Sequence, residues 1–206
     1  CKWCNKHEKK FILWSGSTKY ERSWRRFVTF PAVKWLVKKS DWFLSYGTRA
    51  TEYLLSLWAK KERIQELYNT IDVDYFLDQN SLVRPKKDEI KKEFGIQTEK
   101  MLIFAWQLIK RKGIWELIKG FELFKKSHNN LSLLIVGSGP EQERIQKYIQ
   151  KKKIKDVFFV GYKQKEEIWA CYWISDVCIL PSFEEVWWLV VNEAMCFGLP
   201  VITYKK

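Results

Sequence analysis

Residues 181–195 read Pro-Ser-Phe-Glu-Glu-Val-Trp-Trp-Leu-Val-Val-Asn-Glu-Ala-Met. An apolar run at 177–180 and the run Pro-Val-Ile-Thr at 200–203 predict a strand on either side, with a loop and then a helix between them. This order is that of a βαβ unit, in which the N–H groups at the start of the helix attract anions. Glu185 and Glu193 have no clear role beside an anion unless the ligand also carries hydroxyl groups. The pattern therefore indicates a ligand in which a phosphate is attached to a sugar.

The residues before this unit alternate in the same way. Short apolar runs between amphipathic helices predict a parallel, doubly wound α/β sheet that is covered on both faces. Ligands of such sheets bind at the carboxyl ends of the strands. The predicted strands are 101–105, 131–136, 157–160 and 177–180, and the predicted helices are 115–127, 141–153 and 165–175.

The first part of the chain predicts a partial α/β domain. Residues 20–40 carry apolar side chains at helical spacing, and a strand at 42–46 precedes a helix whose N-cap is Thr48. A second strand is predicted at 64–68. From residue 77 to 98 the chain is charged and is broken by Pro85, with a short helix at 88–94. We therefore expect two domains, residues 1–80 and residues 81–206.

Five segments together resemble the retaining glycosyltransferases of family 4, which are two-domain enzymes of the GT-B fold that use nucleotide-sugar donors. The most specific is the pattern Pro-Ser-x-x-Glu-x7-Glu-Ala-Met-x-x-Gly-x-Pro-Val-Ile, which begins at Pro181. The other four resemble the interdomain crossover, the donor-phosphate segment, the strand and turn after it, and the strand near the base. They lie at residues 68–76, 107–114, 134–140 and 157–162.

The resemblance implies a Rossmann-like donor domain that follows the end of an acceptor-side domain, with the chain incomplete at both ends. The implied reaction moves a sugar from a nucleoside diphosphate-sugar to an acceptor hydroxyl with retention, in the synthesis of a polysaccharide, glycolipid or cell-envelope glycan. This chain alone is expected to be inactive. The alternative is a non-catalytic or degenerate nucleotide-sugar-binding fragment. A full gene that encodes an upstream acceptor-side domain would favour the enzyme. A dinucleotide-binding protein is disfavoured, because residues 137–142 lack the third glycine of its fingerprint.

The resemblance also assigns site residues. Lys112 matches the lysine that binds the donor phosphates, while Gln107 is neutral where the family has a basic residue. Glu193 matches the ribose-binding glutamate. Glu185 matches the one that contacts the donor sugar, where a carboxylate can stabilise positive charge on the anomeric carbon. We expect Glu185 and Lys112 to be catalytic. The remaining donor-binding candidates are Gly137, Gly139, Gly161, Tyr162, Trp187, Trp188, Leu189 and Val190.

Each of these assignments has a simpler alternative. Lys112 stands beside Lys110 and Arg111 and can be one of three solvated basic residues. Glu185 can act as a helix-terminal carboxylate that the helix dipole favours. The two glycines of the Gly-x-Gly at 137–139 are expected to let the backbone approach the donor closely.

Several tryptophans depart from the family pattern. The family has glycine at the positions of Trp106 and Trp188, and a small residue would be less surprising at Trp42, Trp58 and Trp173. The chain has 12 tryptophans and 9 glycines, where average glycine usage predicts about 14. Our hypothesis is that an opal codon meaning glycine was read as tryptophan. The alternative is a degenerate, inactive copy, and ordinary tryptophan codons at these positions would refute the hypothesis.

The net charge of the chain limits the classes of binding partner that we expect. The net charge is +13 over 206 residues, which fits a solvated basic surface, an anionic membrane face or nucleic acid. The resemblance favours the membrane face, and no nucleic-acid motif is present. The partners expected are thus a nucleotide-sugar donor and a glycan or lipid-linked acceptor, at the inner face of a membrane or in the cytoplasm.

The cysteines and histidines do not predict a metal site. Cys171, Cys178 and Cys196 lie in apolar stretches and are expected to be buried, reduced thiols. The pattern Cys1-x2-Cys4-x2-His7 lacks a nearby fourth zinc ligand. We expect no metal and no cofactor, because a lysine and helix amides can stabilise the donor phosphates.

Overall fold

A computed structural model describes residues 2–19, 24–83, 87–183 and 188–204. The chain divides into two compact units, residues 1–69 and residues 70–206. Among the described residues, no helix combines the length and the apolar character needed to cross a membrane.

The first unit holds a three-stranded parallel sheet in the order β1-β2-β3. Its core is built from Val37 of the long helix, Phe43 of the central strand, and Tyr53, Leu54 and Leu57 around the following helix. The elements are α1 (Lys2–Lys6), β1 (Ile12–Ser15), α2 (Trp24–Lys39), β2 (Trp42–Ser45), α3 (Thr48–Ser56) and β3 (Ile64–Glu66).

The second unit holds a five-stranded sheet in which every described pairing is parallel, in the order β6-β5-β4-β7-β8. The strands are β4 (Lys100–Ala105), β5 (Leu131–Val136), β6 (Val157–Gly161), β7 (Val177–Leu180) and β8 (Val201–Thr203). The helices are α4 (Val73–Val83), α5 (Lys87–Glu93), α6 (Ile114–Lys125), α7 (Gln142–Lys152), α8 (Lys165–Ile174) and α9 (Leu189–Cys196).

The two faces of this sheet build separate hydrophobic clusters. Side chains alternate along a strand, so Ile103 of β4 joins one cluster and Phe104 joins the other. The first cluster includes residues of α4, α5, α8 and α9, and the second includes residues of α6 and α7. Covering both faces explains why β5 is apolar almost throughout and buried along its whole length. The α/β doubly wound arrangement predicted from the sequence is confirmed.

Three local differences separate the structure from the sequence prediction. The predicted strand at 64–68 ends at Glu66, and β1 was not predicted. The domain boundary was expected in the charged segment from residue 77 to 98, but the first part of this segment, up to Val83, is the end of helix α4. This helix packs against α8 and α9 and contributes Phe76 to their cluster. The second compact unit therefore begins at Thr70. Pro85, which suggested the boundary, lies outside the described residues.

Helix α2 buries less of its apolar face than the helical spacing predicted. The expected apolar face included Phe27, Val28 and Val37. Val37 is buried, whereas 87% of Phe27 and 67% of Val28 are exposed. Helical spacing identified the helix but not how much of its apolar surface the rest of the unit covers.

Candidate functional site

The order of the strands locates a crevice in the second unit. The chain proceeds from β4 outward through β5 to β6, and then returns to place β7 on the other side of β4. Because the strands are parallel, the loops that follow Ala105, Val136, Gly161 and Leu180 lie at one edge of the sheet. A doubly wound sheet binds ligands where this direction reverses, which here is between β4 and β7. The loops after β4 and β7 contain the Lys112 segment and the 181–188 segment.

The loops after β4 and β7 contact each other directly. The N–H of Phe183 donates to the carbonyl of Arg111 at 2.9 Å, and Ser182 Oγ donates to the same oxygen at 3.4 Å. Gly113 has φ +70°, and a Cβ there would collide with the carbonyl of Pro181. These contacts hold residues 181–183 beside the Lys112 segment. Neither Ser182 nor the Arg111 carbonyl was among the predicted site groups, because a backbone acceptor leaves no signature in the sequence.

Lys112 is buried, with 4% of its surface exposed. Its ammonium Nζ lies 4.5 Å from the centre of the Trp106 ring. Trp106 is half-buried and packs against both hydrophobic clusters. The indole therefore covers the charged end of the lysine. Gln107, the other residue of this loop assigned to the donor, is exposed.

A cleft of about 420 Å³ adjoins this contact between the loops. Lys110 and Arg111 place two exposed cationic side chains at its border, and Trp115 and Phe183 contribute aromatic surface. Trp115 is held by its indole N–H, which donates to Glu141 Oε2 at 2.7 Å. Glu116 adds one carboxylate to the lining, so the two basic side chains leave the cleft with a small excess of positive charge.

The glycines of the Gly-x-Gly segment have a different neighbour from the one expected. Gly137 has φ +128°, and a Cβ there would collide with the carbonyl of Trp106. A Cβ at Gly139 would lie 2.5 Å from the carbonyl of Leu108. The same loops are joined by the bond from Leu108 N–H to Ser138 O at 3.0 Å. Both glycines are thus required by the backbone after β4, and this packing explains them without a ligand.

Gly161 and Tyr162 end the neighbouring strand β6. Gly161 has φ +71°, and a Cβ there would meet no atom within 4 Å. Its carbonyl accepts from Gly137 N–H at 2.7 Å. Tyr162 is 67% exposed, and its hydroxyl donates to Gln164 Oε1 at 3.4 Å. The tyrosine ring is accessible at the same edge as the other loops.

Helix α9 begins at the end of the 181–188 segment. Trp188 is its N-cap and is partly buried. The side chain of Val190 packs into the first cluster, so the N–H groups of Leu189 and Val190 are what this first turn offers an anion. Glu185 and Trp187, two of the predicted site residues, lie outside the described residues.

Glu193 lies in the second turn of α9 and contacts Tyr172, which was not among the predicted site residues. Its Oε2 accepts a hydrogen bond from the Tyr172 hydroxyl of α8 at 2.6 Å. Burial raises the pKa of Glu193, and the bond from Tyr172 acts in the opposite direction. Burial also raises the pKa of Tyr172, and the neighbouring Glu193 raises it further, so the phenol remains a donor. Tyr172 stands in an apolar helix sequence, which predicts a core residue and gives no sign of a polar partner 21 positions away.

Cys171 and Cys178 are buried as predicted, whereas Cys196 is only partly buried, contrary to the prediction. Burial raises the pKa of each of the Cys171 and Cys178 thiols to about 12. In the part of the chain that the structure describes, no group of three or more His, Cys, Asp or Glu side chains could hold a metal ion. Cys1 lies outside that part.

Residues 86–206 match the family model described as glycosyl transferases, group 1. The chain is 31% identical over 115 residues to an alpha-monoglucosyldiacylglycerol synthase of Acholeplasma laidlawii. It is 31% identical over 141 residues to an N-acetyl-alpha-D-glucosaminyl L-malate synthase of Bacillus anthracis. These alignments cover 55% and 68% of this chain but 29% and 35% of the relatives, so the chain spans about a third of their lengths.

Solved structures share the fold at low identity. The Anabaena protein HepE, crystallised with UDP and glucose, has a TM-score of 0.75 at 15% identity. WaaG, a glycosyltransferase involved in lipopolysaccharide biosynthesis, has a TM-score of 0.75 at 17% identity. The likeness covers 97% and 98% of this chain, and 54% and 61% of those chains. The fold class is therefore that of the GT-B glycosyltransferases.

Proposed function

Because the chain belongs to the group 1 glycosyl transferases, we propose that it binds a nucleoside diphosphate-sugar and serves the retaining transfer of that sugar to an acceptor hydroxyl. The transfer breaks the bond between the anomeric carbon and the diphosphate oxygen and forms one to the acceptor oxygen. The resemblance to family 4 supports retention. The observation that carries the proposal is the contact of the Lys112 loop with Ser182 and Phe183, which follow β7, at the strand-order reversal.

The diphosphate would be held by two kinds of donor. The N–H groups of Leu189 and Val190 open helix α9, where the helix dipole favours an anion. The ammonium of Lys112 would neutralise part of the charge, aided by Lys110 and Arg111 at the cleft border. Because a lysine and helix amides can stabilise a phosphate without a divalent ion, we propose that no metal takes part.

The sugar portions would be recognised by carboxylates. We assign the ribose hydroxyls to Glu193, whose second oxygen faces away from its bond with Tyr172. The assignment of the donor sugar to Glu185 rests on the sequence pattern alone. A carboxylate near the anomeric carbon would stabilise the positive charge that develops as the diphosphate leaves.

Calorimetry on this chain with UDP, GDP and their sugar conjugates, without magnesium, tests the proposal. We expect binding of at least one of the two nucleotides, and about tenfold weaker binding in Lys112→Ala, because a positive charge near the diphosphate is lost. Lys119→Ala, an exposed change on the outer side of α6, is the matched control and should bind as the native chain does. Absence of any binding, or a strict requirement for a divalent ion, would refute the proposed site.

The two glutamates should act differently if their roles are as assigned. Glu193→Gln should weaken the nucleotide and its sugar conjugate alike, since ribose is common to both. Glu185→Gln should weaken the conjugate and leave the bare nucleotide nearly unchanged. Each loss should be about tenfold or more. Equal weakening of the bare nucleotide by both substitutions would contradict the division of roles.

A contact with an anionic membrane face is the second part of the proposal. Residues 1–69 hold 15 of the basic and 6 of the acidic residues, so they carry +9 of the net charge of +13. Phe27 and Val28 of α2 also expose most of their surface. The positive charge of the first unit and these exposed side chains would favour contact with an anionic membrane that carries a lipid-linked or cell-envelope acceptor.

Sedimentation with vesicles tests the membrane contact. The chain should sediment with vesicles containing phosphatidylglycerol and remain in solution with neutral phosphatidylcholine vesicles. High salt should release it, because the attraction is screened. Paired substitution of Phe27 and Val28 by serine should weaken the association, whereas equal binding to neutral vesicles would refute the electrostatic part.

A further inference from the structure

We infer that Tyr172 is a positioning residue for Glu193, which it holds in the orientation that meets the ribose of the donor. The inference rests on the proposed function and adds to its site a residue that was not among the predicted site residues.

The position of Tyr172 is fixed on all sides. None of its surface is exposed, and it lies in the cluster formed by α4, α5, α8 and α9. Its ring stacks on Phe197 with centroids 5.7 Å apart and planes 23° apart. This packing fixes the position of the phenolic oxygen, which lies 2.6 Å from Glu193 Oε2.

The bond determines which oxygen of Glu193 is available. Glu193 is partly exposed, and among the described residues Tyr172 is its one hydrogen-bond partner. A short bond from a neutral phenol to a carboxylate is charge-assisted and strong. With Oε2 engaged by a buried donor, Oε1 is the oxygen that can accept from ligand hydroxyls. Without the phenol the carboxylate could rotate among several orientations, which would weaken binding.

The surroundings of Glu193 define its response to pH. Among the described residues, the titratable groups that interact with it besides Tyr172 of α8 are the thiols of Cys178 in β7 and Cys196 in α9. Both thiols have a raised pKa, so neither titrates in the acid range. Burial raises the pKa of Glu193 and the Tyr172 bond lowers it. Binding through the carboxylate should therefore be lost as pH falls through that pKa, and removal of the phenol should move this loss to higher pH.

Tyr172→Phe tests the inference, because it keeps the stacked ring and removes the hydroxyl. Tyr148→Phe is the matched control. Tyr148 donates to Glu122 Oε2 at 2.7 Å between α7 and α6, on the opposite face of the sheet. Both variants lose a tyrosine–glutamate bond between two helices, so a merely structural effect should lower the melting temperature of both. The readouts are the affinities for UDP and GDP at a series of pH values.

We expect Tyr172→Phe to weaken nucleotide binding about fivefold to tenfold and to move its acid-side loss to higher pH. Tyr148→Phe should leave both unchanged. Adding Tyr172→Phe to Glu193→Gln should cost little more than Glu193→Gln alone, because the tyrosine acts through the glutamate. If the native chain binds a nucleotide and Tyr172→Phe matches it in affinity and pH profile, the inference is wrong and the proposed function stands. A native chain that binds neither nucleotide overturns both.

Discussion

Gly113 lies directly against the carbonyl of Pro181, so that the left-handed turn after β4 fits under the end of β7. The contact joins the two loops at the point where the strand order reverses. A side chain at residue 113 would be strained by φ +70° and would also collide with backbone. Backbone cannot move aside as the end of a flexible side chain can. The geometry of the candidate site therefore depends on this glycine.

A glycine series measures that dependence. Gly113→Ala should lower the free energy of unfolding by about 2 kcal/mol or more, from left-handed strain and the collision together. Gly161→Ala, with φ +71° and no neighbour within 4 Å, should lose about 1 kcal/mol from strain alone. Gly120→Ala lies inside α6 with nothing within 4 Å and should stabilise by about 0.5–1 kcal/mol. Chemical denaturation gives all three values, and equal losses at 113 and 161 would show that the Pro181 contact is unimportant.

Trp58 offers a test of the misread-codon hypothesis. It has φ +67° and is 71% exposed, and Lys34 Nζ lies 3.6 Å from its ring centre. Glycine adopts this backbone conformation without strain, whereas other residues do not. Trp58→Gly should therefore be more stable than Trp58→Ala by about 1 kcal/mol.

Trp35 is the control for that comparison, because it is exposed on helix α2. There the order should reverse, with Trp35→Ala more stable than Trp35→Gly by about 0.5–1 kcal/mol. Alanine and glycine of equal stability at residue 58 would remove the structural support for a native glycine. Inspection of the codons would decide the matter independently.

Sequence patterns predicted most helices and strands of the second unit, but they did not predict the contacts between these elements. Strand β5 was predicted at 131–136 and is observed at Leu131–Val136. Such strands can be recognised in a sequence because buried parallel strands form continuous apolar runs. Helix α4 was missed because Asp74, Asp78 and Asn80 interrupt its apolar spacing, and its role depends on packing against α8 and α9. The Tyr172–Glu193 bond joins two helices, so no local pattern contains it.

Trp106 should limit nucleotide binding, because its ring covers the Lys112 ammonium at 4.5 Å. Trp106→Gly should uncover the ammonium and tighten UDP or GDP binding about tenfold, which corresponds to a desolvated cation–π contact of about 1–2 kcal/mol. It should also reduce stability by about 3–5 kcal/mol through the cavity it leaves. Trp106→Phe keeps a ring at this place and should show no gain. Calorimetry in the cold, on protein shown to be folded, makes the comparison, and a Trp106→Gly chain that binds more weakly would refute it.

Glu193→Gln should stabilise the folded chain near pH 7 while it weakens nucleotide binding. Burial raises the pKa of Glu193 above its ordinary value of 4.5, so the ionised carboxylate opposes folding at neutral pH. For a carboxyl group with a raised folded-state pKa, the unfavourable contribution is complete above that pKa. This unfavourable contribution diminishes as pH falls and is absent below the pKa of the unfolded state, where both states are protonated.

Glutamine stays neutral and can still accept a hydrogen bond from the Tyr172 hydroxyl. The melting temperature of Glu193→Gln should exceed that of the native chain at pH 7, and the difference should shrink to nothing below pH 4.5. Thermal melts across this range check the sign, and a native chain that is the more stable at pH 7 would show that the Tyr172 bond outweighs burial.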